Sequence, residues 1–104
     1  MEGLELACFQ IISKAGASKS QCFEALKLAR NKEFEKAKEK IKESKNLFLE
    51  AHEVHREFIS KEAEGADIKI TLLLVHAEDQ LMSTETTREL ILEMIQMYEQ
   101  NNSK

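Results

Sequence analysis

No proline interrupts the 104 residues, glycine occurs only three times, and tryptophan is missing. With so few breakers little opposes helix formation, which makes all-α the expected class, and no Pro-rich or Gly-rich linker divides the chain. Aromatic residues make up only 6% of the chain. Cysteine is limited to Cys8 and Cys22. Fourteen residues of helix would hold those two about 21 Å apart, so they are expected to be free, buried thiols in a reducing compartment. No apolar run approaches the roughly 20 residues needed to cross a bilayer. The opening Met1–Gln10 lacks the basic and apolar regions of a secretory signal. A cytoplasmic protein with no membrane insertion is expected.

What remains is helix-forming. Ala, Leu, Glu, Lys, Gln and Met dominate, and 42% hydrophobic content with 33% charge is a globular balance. The length suits one domain, residues 1–104, and a chain this short gains from an additional buried face, so self-association is plausible on size alone. Net charge is −4, unevenly spread: Lys27–Lys45 hold eight basic and four acidic side chains, and the remainder from Asn46 holds five basic and twelve acidic. Basic residues so diluted with glutamate make a solvated helix face laced with pairs such as Glu35/Lys38 and Glu39/Lys42, or a weak surface for an acidic protein. They do not make a track for nucleic acid.

The spacing of apolar and small residues predicts three helices. In the first, about Gly3–Arg30, Leu4, Cys8, Ile11, Ala15, Ser18, Cys22, Ala25 and Ala29 recur at steps of three and four. The small Ala15-Gly16-Ala17-Ser18 segment can bend the helix or admit a close neighbour. Asn31 suits the left-handed conformation that ends helices. The second helix, about Glu33–Glu64, keeps the register through Phe34, Ala37, Ile41, Ser44, Phe48, Ala51, His55, Phe58 and Glu62, and Gly65 stops it. The third is expected over about Ile68–Glu99 with Asp67 as its N-cap, leaving Gln100–Lys104 to fray. Short turns between long helices dictate an all-α, antiparallel up-down-up three-helix bundle. Ile70, Leu72, Leu73, Leu74 and Val75 make one turn of the third helix apolar nearly all round. That turn is expected to be buried against its own bundle and against another chain.

His76-Ala77-Glu78-Asp79-Gln80-Leu81-Met82 follows at once. At 100° per residue, Lys69, Leu72, Leu73, His76, Asp79, Gln80 and Ser83 share one face. His76 can be a packed, hydrogen-bonded side chain, or a nucleophile, since neutral imidazole takes and releases a phosphoryl group near pH 7. Asp79 continues a stripe of Leu72, Val75, Met82 and Thr86, where a lone carboxylate is costly. A hydrogen bond would satisfy it; so would protonation or a shared divalent cation, were several copies to converge on a symmetry axis. Other candidates are weaker. His52-Glu53-Val54-His55 has its histidines three apart, unlike the HExxH zinc helix, and the residues three before the histidines are Leu49, His52 and Leu73, which excludes a Glu-x-x-His di-iron bundle. His55 reads as a packing residue and His52 as a partly buried polar one.

Leu72-Leu73-Leu74-Val75-His76-Ala77-Glu78-Asp79-Gln80-Leu81-Met82 resembles the signature, approximately LLLVHAQDHLM, of the lactose/cellobiose-type enzyme IIA of the bacterial phosphoenolpyruvate-dependent sugar phosphotransferase system. The likeness extends over essentially the whole chain, through Phe9-Gln10-Ile11-Ile12 with Ala15-Gly16, Glu24–Ala29, Phe34–Ala37 and Leu49–His52. It implies that His76 accepts phosphate from HPr and passes it to a cysteine of enzyme IIB, which serves disaccharide uptake. It implies a homotrimer in which Asp79 of three chains shares one magnesium ion. Gln80, four residues after His76, and Leu73 are expected to lie beside the phosphate or the partner. Placed mid-helix, His76 would be out of reach of helix N-terminal amides. The chain departs from the signature at Glu78, where Gln is common, at Gln80, where His is common, and mildly at Ser83 in place of Thr. Two rivals are a histidine phosphotransfer module of two-component signalling, which usually carries lysine and glycine shortly after its histidine, and a trimeric helical scaffold without chemistry.

Overall fold

The structure, a computed structural model, describes residues 2–102 and contains three helices: α1 (Glu2–Arg30), α2 (Phe34–Ala63) and α3 (Leu72–Asn102). Contacts between them fix their directions. Lys14 pairs with Glu50 and Lys40 with Glu24, so α1 and α2 run antiparallel. His55 meets Glu78 and Lys38 meets Glu99, so α2 and α3 do as well. The up-down-up bundle read from the sequence is therefore present in a rod of 56 × 20 × 19 Å.

All eight seam positions of α1 are buried: Leu4, Cys8, Ile11, Ala15, Ser18, Cys22, Ala25 and Ala29. The seam of α2 is right in register, with Ala37, Ser44, Phe48, Ala51 and Phe58 buried, but Glu62 is exposed. On α3 the inward face is Leu74, Ala77, Leu81, Thr84, Ile91 and Ile95. One apolar cluster joins Leu4, Cys8, Ile11, Phe48, Phe58, Leu74 and Leu81; a second joins Cys22, Ala25, Ala37, Ile91 and Ile95. Between them lies a layer of small polar residues. Ser18 Oγ donates to the Ser44 carbonyl (2.6 Å) and Thr84 Oγ1 to the Ala15 carbonyl (3.1 Å). Small side chains there let the helices approach, and each buried hydroxyl finds an acceptor, as its burial requires. The close neighbour expected at Ala15–Ser18 is thus realised through Ala15 and Ser18; a Cβ on Gly16 would meet nothing within 4 Å.

Both helix stops are Schellman motifs. After α1, Lys32 N–H donates to Ala29 O (3.0 Å) and Glu33 N–H to Leu28 O (2.9 Å), and Lys32 rather than Asn31 takes the left-handed conformation, φ 66°. After α2, Gly65 N–H donates to Glu62 O and Ala66 N–H to Lys61 O, both at 3.0 Å, with Gly65 at φ 100°.

The start of α3 differs from expectation. Residues 66–71 are not helical, and the cap is Thr71, whose Oγ1 accepts the Leu74 N–H at 3.1 Å. Ile68 is drawn against the core, and β-branched Ile68, Ile70 and Thr71 are weaker helix formers, so the segment stays out of the helix until a hydroxyl can cap it. At the other end residues 100–102 remain helical, and Ser103 and Lys104 lie outside the described residues.

The basic stretch is a solvated face. Lys36 pairs with Glu33, Lys38 with Glu35 and Glu99, and Lys40 with Glu24 and Glu43; no ion pair joins Glu39 and Lys42. Cys8 and Cys22 are free and buried. Among the described residues, no helix is long and apolar enough to cross a membrane.

Candidate functional site

Because α3 begins at Leu72, His76 is its fifth residue and not a mid-helix one. It lies about 6 Å along the axis from Leu72, and helical side chains lean toward the N-terminus. Thr71 engages the amides of Leu74, through its hydroxyl, and Val75, through its carbonyl. The first amides of a helix have no intrahelical acceptor and carry the positive end of its dipole. His76 therefore stands in the second turn of α3, nearer the positive end of its dipole than a mid-helix position would be.

His76 is exposed, with Asp79 exposed one turn further. Gln80 and Ser83 on the same face are partly buried, and Ser83 Oγ accepts from Lys19 Nζ of α1 at 2.8 Å. Lys19 brings a cation to this face from another helix, and nothing in the sequence around it marks that role. Leu73 is partly buried and packs against the core; it lines a cavity of about 240 Å³ with Leu4, Cys8, Ile68 and Thr71. The apolar rim beside His76 belongs instead to Ile70, Leu72 and Val75, which are 76%, 86% and 51% exposed.

Asp79 was expected in a packed seam. Within one chain that stripe faces outward: Leu72 and Val75 before Asp79, and Met82 at 59% exposure after it. Since α3 is apolar nearly all round at this turn, periodicity alone could not say which side faces the bundle. Among the described residues, no group of three His, Cys, Asp or Glu in one chain could hold a metal ion. A divalent cation prefers several oxygens, and one chain offers it Asp79 alone on this stripe, so the residues fit such an ion only if further copies contribute.

Of the other histidines, His55 keeps its packed seam position and His52 departs from its partly buried reading. His52 is exposed. His55 is largely buried, with 17% of its side chain accessible, and its Nε2 meets Glu78 Oε1 at 2.5 Å. The carboxylates of Glu78 and Glu5 add to the effect of burial in pushing the Cys8 thiol above its ordinary value; burial contributes most. Burial likewise raises Cys22, against the opposing hydrogen bond to Ser44. Both thiols are thereby kept protonated and inert.

Residues 6–99 match the family model of the PTS system, Lactose/Cellobiose specific IIA subunit. The lichenan-specific phosphotransferase enzyme IIA component of Bacillus subtilis is 36% identical, with 94% of this chain and 89% of that protein covered. The crystal structure of the PTS cellobiose-specific enzyme IIA from Bacillus anthracis is 35% identical and superposes with a TM-score of 0.93 over 95% of this chain and 91% of that one. A chain in the solution structures of the IIA(Chitobiose)–HPr complex of the Escherichia coli phosphotransferase system is 34% identical, with a TM-score of 0.80 and coverage of 95% and 96%.

Proposed function

Because the chain belongs to the lactose/cellobiose-specific IIA subunits of the phosphotransferase system, proteins that carry phosphoryl groups, we propose that His76 is its carrier residue, taking phosphate from phospho-HPr and passing it to a cysteine of enzyme IIB for disaccharide uptake. The observation that carries this reading is His76 itself. It is an exposed imidazole at the fifth position of a capped helix, inside the motif that the chain shares with enzyme IIA proteins.

Phosphoryl transfer asks for in-line access and for stabilisation of charge on the equatorial oxygens. Exposure of His76 gives access to two partners in turn. In the first transfer a nitrogen lone pair of neutral imidazole attacks phosphorus; the bond to HPr breaks as the N–P bond forms. In the second the thiolate sulfur of IIB attacks, and the electron pair of the N–P bond returns to the imidazole. The protein supplies the positive end of the α3 dipole, and the Gln80 side chain, one turn on along the same face, has amide donors to offer. Apolar Ile70, 76% exposed just before α3 and outside the stripe assigned to the trimer below, suits brief, repeated docking. A IIA–HPr complex for a protein of the same fold supports HPr as donor.

We also propose a homotrimer in which the outward stripe of Leu72, Val75 and Met82 is covered by the other copies. Asp79 of three chains would then meet on the axis and share one Mg2+. Three hard oxygens around a hard cation relieve the repulsion that three carboxylates would otherwise suffer. A cytoplasmic location goes with this reading.

The test uses phosphoenolpyruvate, enzyme I, HPr and this protein, followed by addition of IIB. Acid-labile label should reach about one phosphoryl group per chain and discharge onto IIB. Folded protein that never takes up label would favour the scaffold and overturn the reading. Label arriving from a two-component partner but not from HPr would favour the phosphotransfer module.

A further inference from the structure

Glu78 stands where the motif has Gln, and it is paired with a histidine from another helix. The two helices that it joins meet along a thin seam, for both α2 and α3 pack mainly on α1. In the half of α3 that bears His76, the contact of His55 Nε2 with Glu78 Oε1 is the one side-chain hydrogen bond to α2 among the described residues. The next lies ten residues further on, where Arg88 Nε donates to Ser44 Oγ at 3.4 Å, and the last is Lys38 with Glu99 at the far end. On an ideal helix Glu78 lies about 200° around from His76. The tie therefore grips the helix from behind the face that presents the imidazole.

We propose that Glu78 and His55 are positioning residues: together they clasp the second turn of α3 to α2 and so fix the direction in which His76 faces its partners. Glu78 sits at the edge of the core, its side chain 42% accessible and its charge felt by the buried thiol of Cys8. The largely buried member of the pair is His55, 17% accessible, and the carboxylate of Glu78 supplies the partner that its ring nitrogen requires. Removing Glu78 leaves the largely buried imidazole without its partner, and removing either member releases this turn of α3 from α2, so that only the Leu74, Ala77 and Leu81 face still holds it. In-line transfer is sensitive to misplacement of about 1 Å, so rate suffers before partner binding does.

The effect on transfer rests on the carrier reading above, and the experiment separates the two. Amide hydrogen exchange over residues 74–80 and transfer kinetics from phospho-HPr are measured for wild type, His55→Leu, Glu78→Ala, the double variant and Glu78→Gln. Each single loss should speed exchange at 74–80 roughly tenfold and lower kcat by a similar factor, with KM within about twofold. Exchange at 90–97 should be unmoved. The double variant should be no worse than either single one, as expected of one shared interaction. Glu78→Gln should restore both readouts, because an amide oxygen still accepts from the imidazole N–H. Unchanged exchange in Glu78→Ala, or losses that simply add in the double variant, would overturn the clasp. A wild type that takes no phosphate would sink the carrier reading instead, and exchange alone would still decide the clasp.

Discussion

Replacing Thr71 with alanine tests where α3 begins, because the two possible starts give effects of opposite sign. In the structure Thr71 lies outside the helix and its Oγ1 accepts the Leu74 N–H at 3.1 Å. Leu74 is only 9% exposed, so its amide would find little water once the hydroxyl is gone. Loss of such a cap costs about 1 kcal/mol, within a range of roughly 0.5–2. For a domain of about a hundred residues that lowers Tm by about 4–8 °C. Had α3 begun at Ile68, Thr71 would be an interior residue, and alanine, the better helix former, would raise stability by about 0.5 kcal/mol. Thermal unfolding followed by circular dichroism at fixed protein concentration gives the sign. Amide exchange at Leu74 locates the effect, and Thr71→Ser should recover most of the loss. A Tm that rises or stays level in Thr71→Ala would refute the cap, and with it the placement of His76 in the second turn.

Three further outcomes are expected. Gly65→Ala should destabilise by about 1–2 kcal/mol in denaturant unfolding, since Gly65 sits at φ 100° with open space around its Cα and only backbone strain opposes a side chain. The Cys8 thiol, raised by burial and by the charges of Glu78 and Glu5, holds its proton in the folded state to higher pH than in the unfolded one. Stability should therefore be intact below the ordinary thiol value of 9.0 and decline as pH rises past it, until the folded thiol also ionises. Cys8→Ala should flatten that decline, and native protein should resist alkylation at pH 8; an equally steep fall in Cys8→Ala would contradict the assignment. Asp79→Leu should keep the assembly by sedimentation while removing any dependence of its stability on Mg2+; a monomer would contradict the proposed role of the stripe.

The sequence disclosed a good deal of this. The seam of α1 was legible because Cys, Ala and Ser alternate with charged residues at helical steps and only one face can be buried. Gly65 announced the second stop because glycine adopts φ near 100° without strain. On α3 the same reasoning lost its purchase. Leucine at 72, 73 and 74 followed by Val75 leaves every direction apolar, so periodicity could not separate the inward Leu74–Ala77–Leu81 face from the outward stripe that carries Asp79. The start of α3 was missed because Asp67 and Thr71 are both capable caps, and the choice depends on Ile68 docking into the core, a tertiary contact. His55 looked like a packing residue since its partner, Glu78, lies twenty-three positions away on another helix. Lys19 carried no signal, because its contact with Ser83 exists only once α1 and α3 run side by side.

The most direct measurement of the central claim locates the phosphoryl group. Protein charged through enzyme I and HPr is examined by phosphorus–proton correlation NMR, alongside the His76→Gln and His55→Gln variants. Coupling from phosphorus to ring protons of a single imidazole, lost in His76→Gln and kept in His55→Gln, is the predicted result. A phosphorus signal that survives in His76→Gln would contradict it.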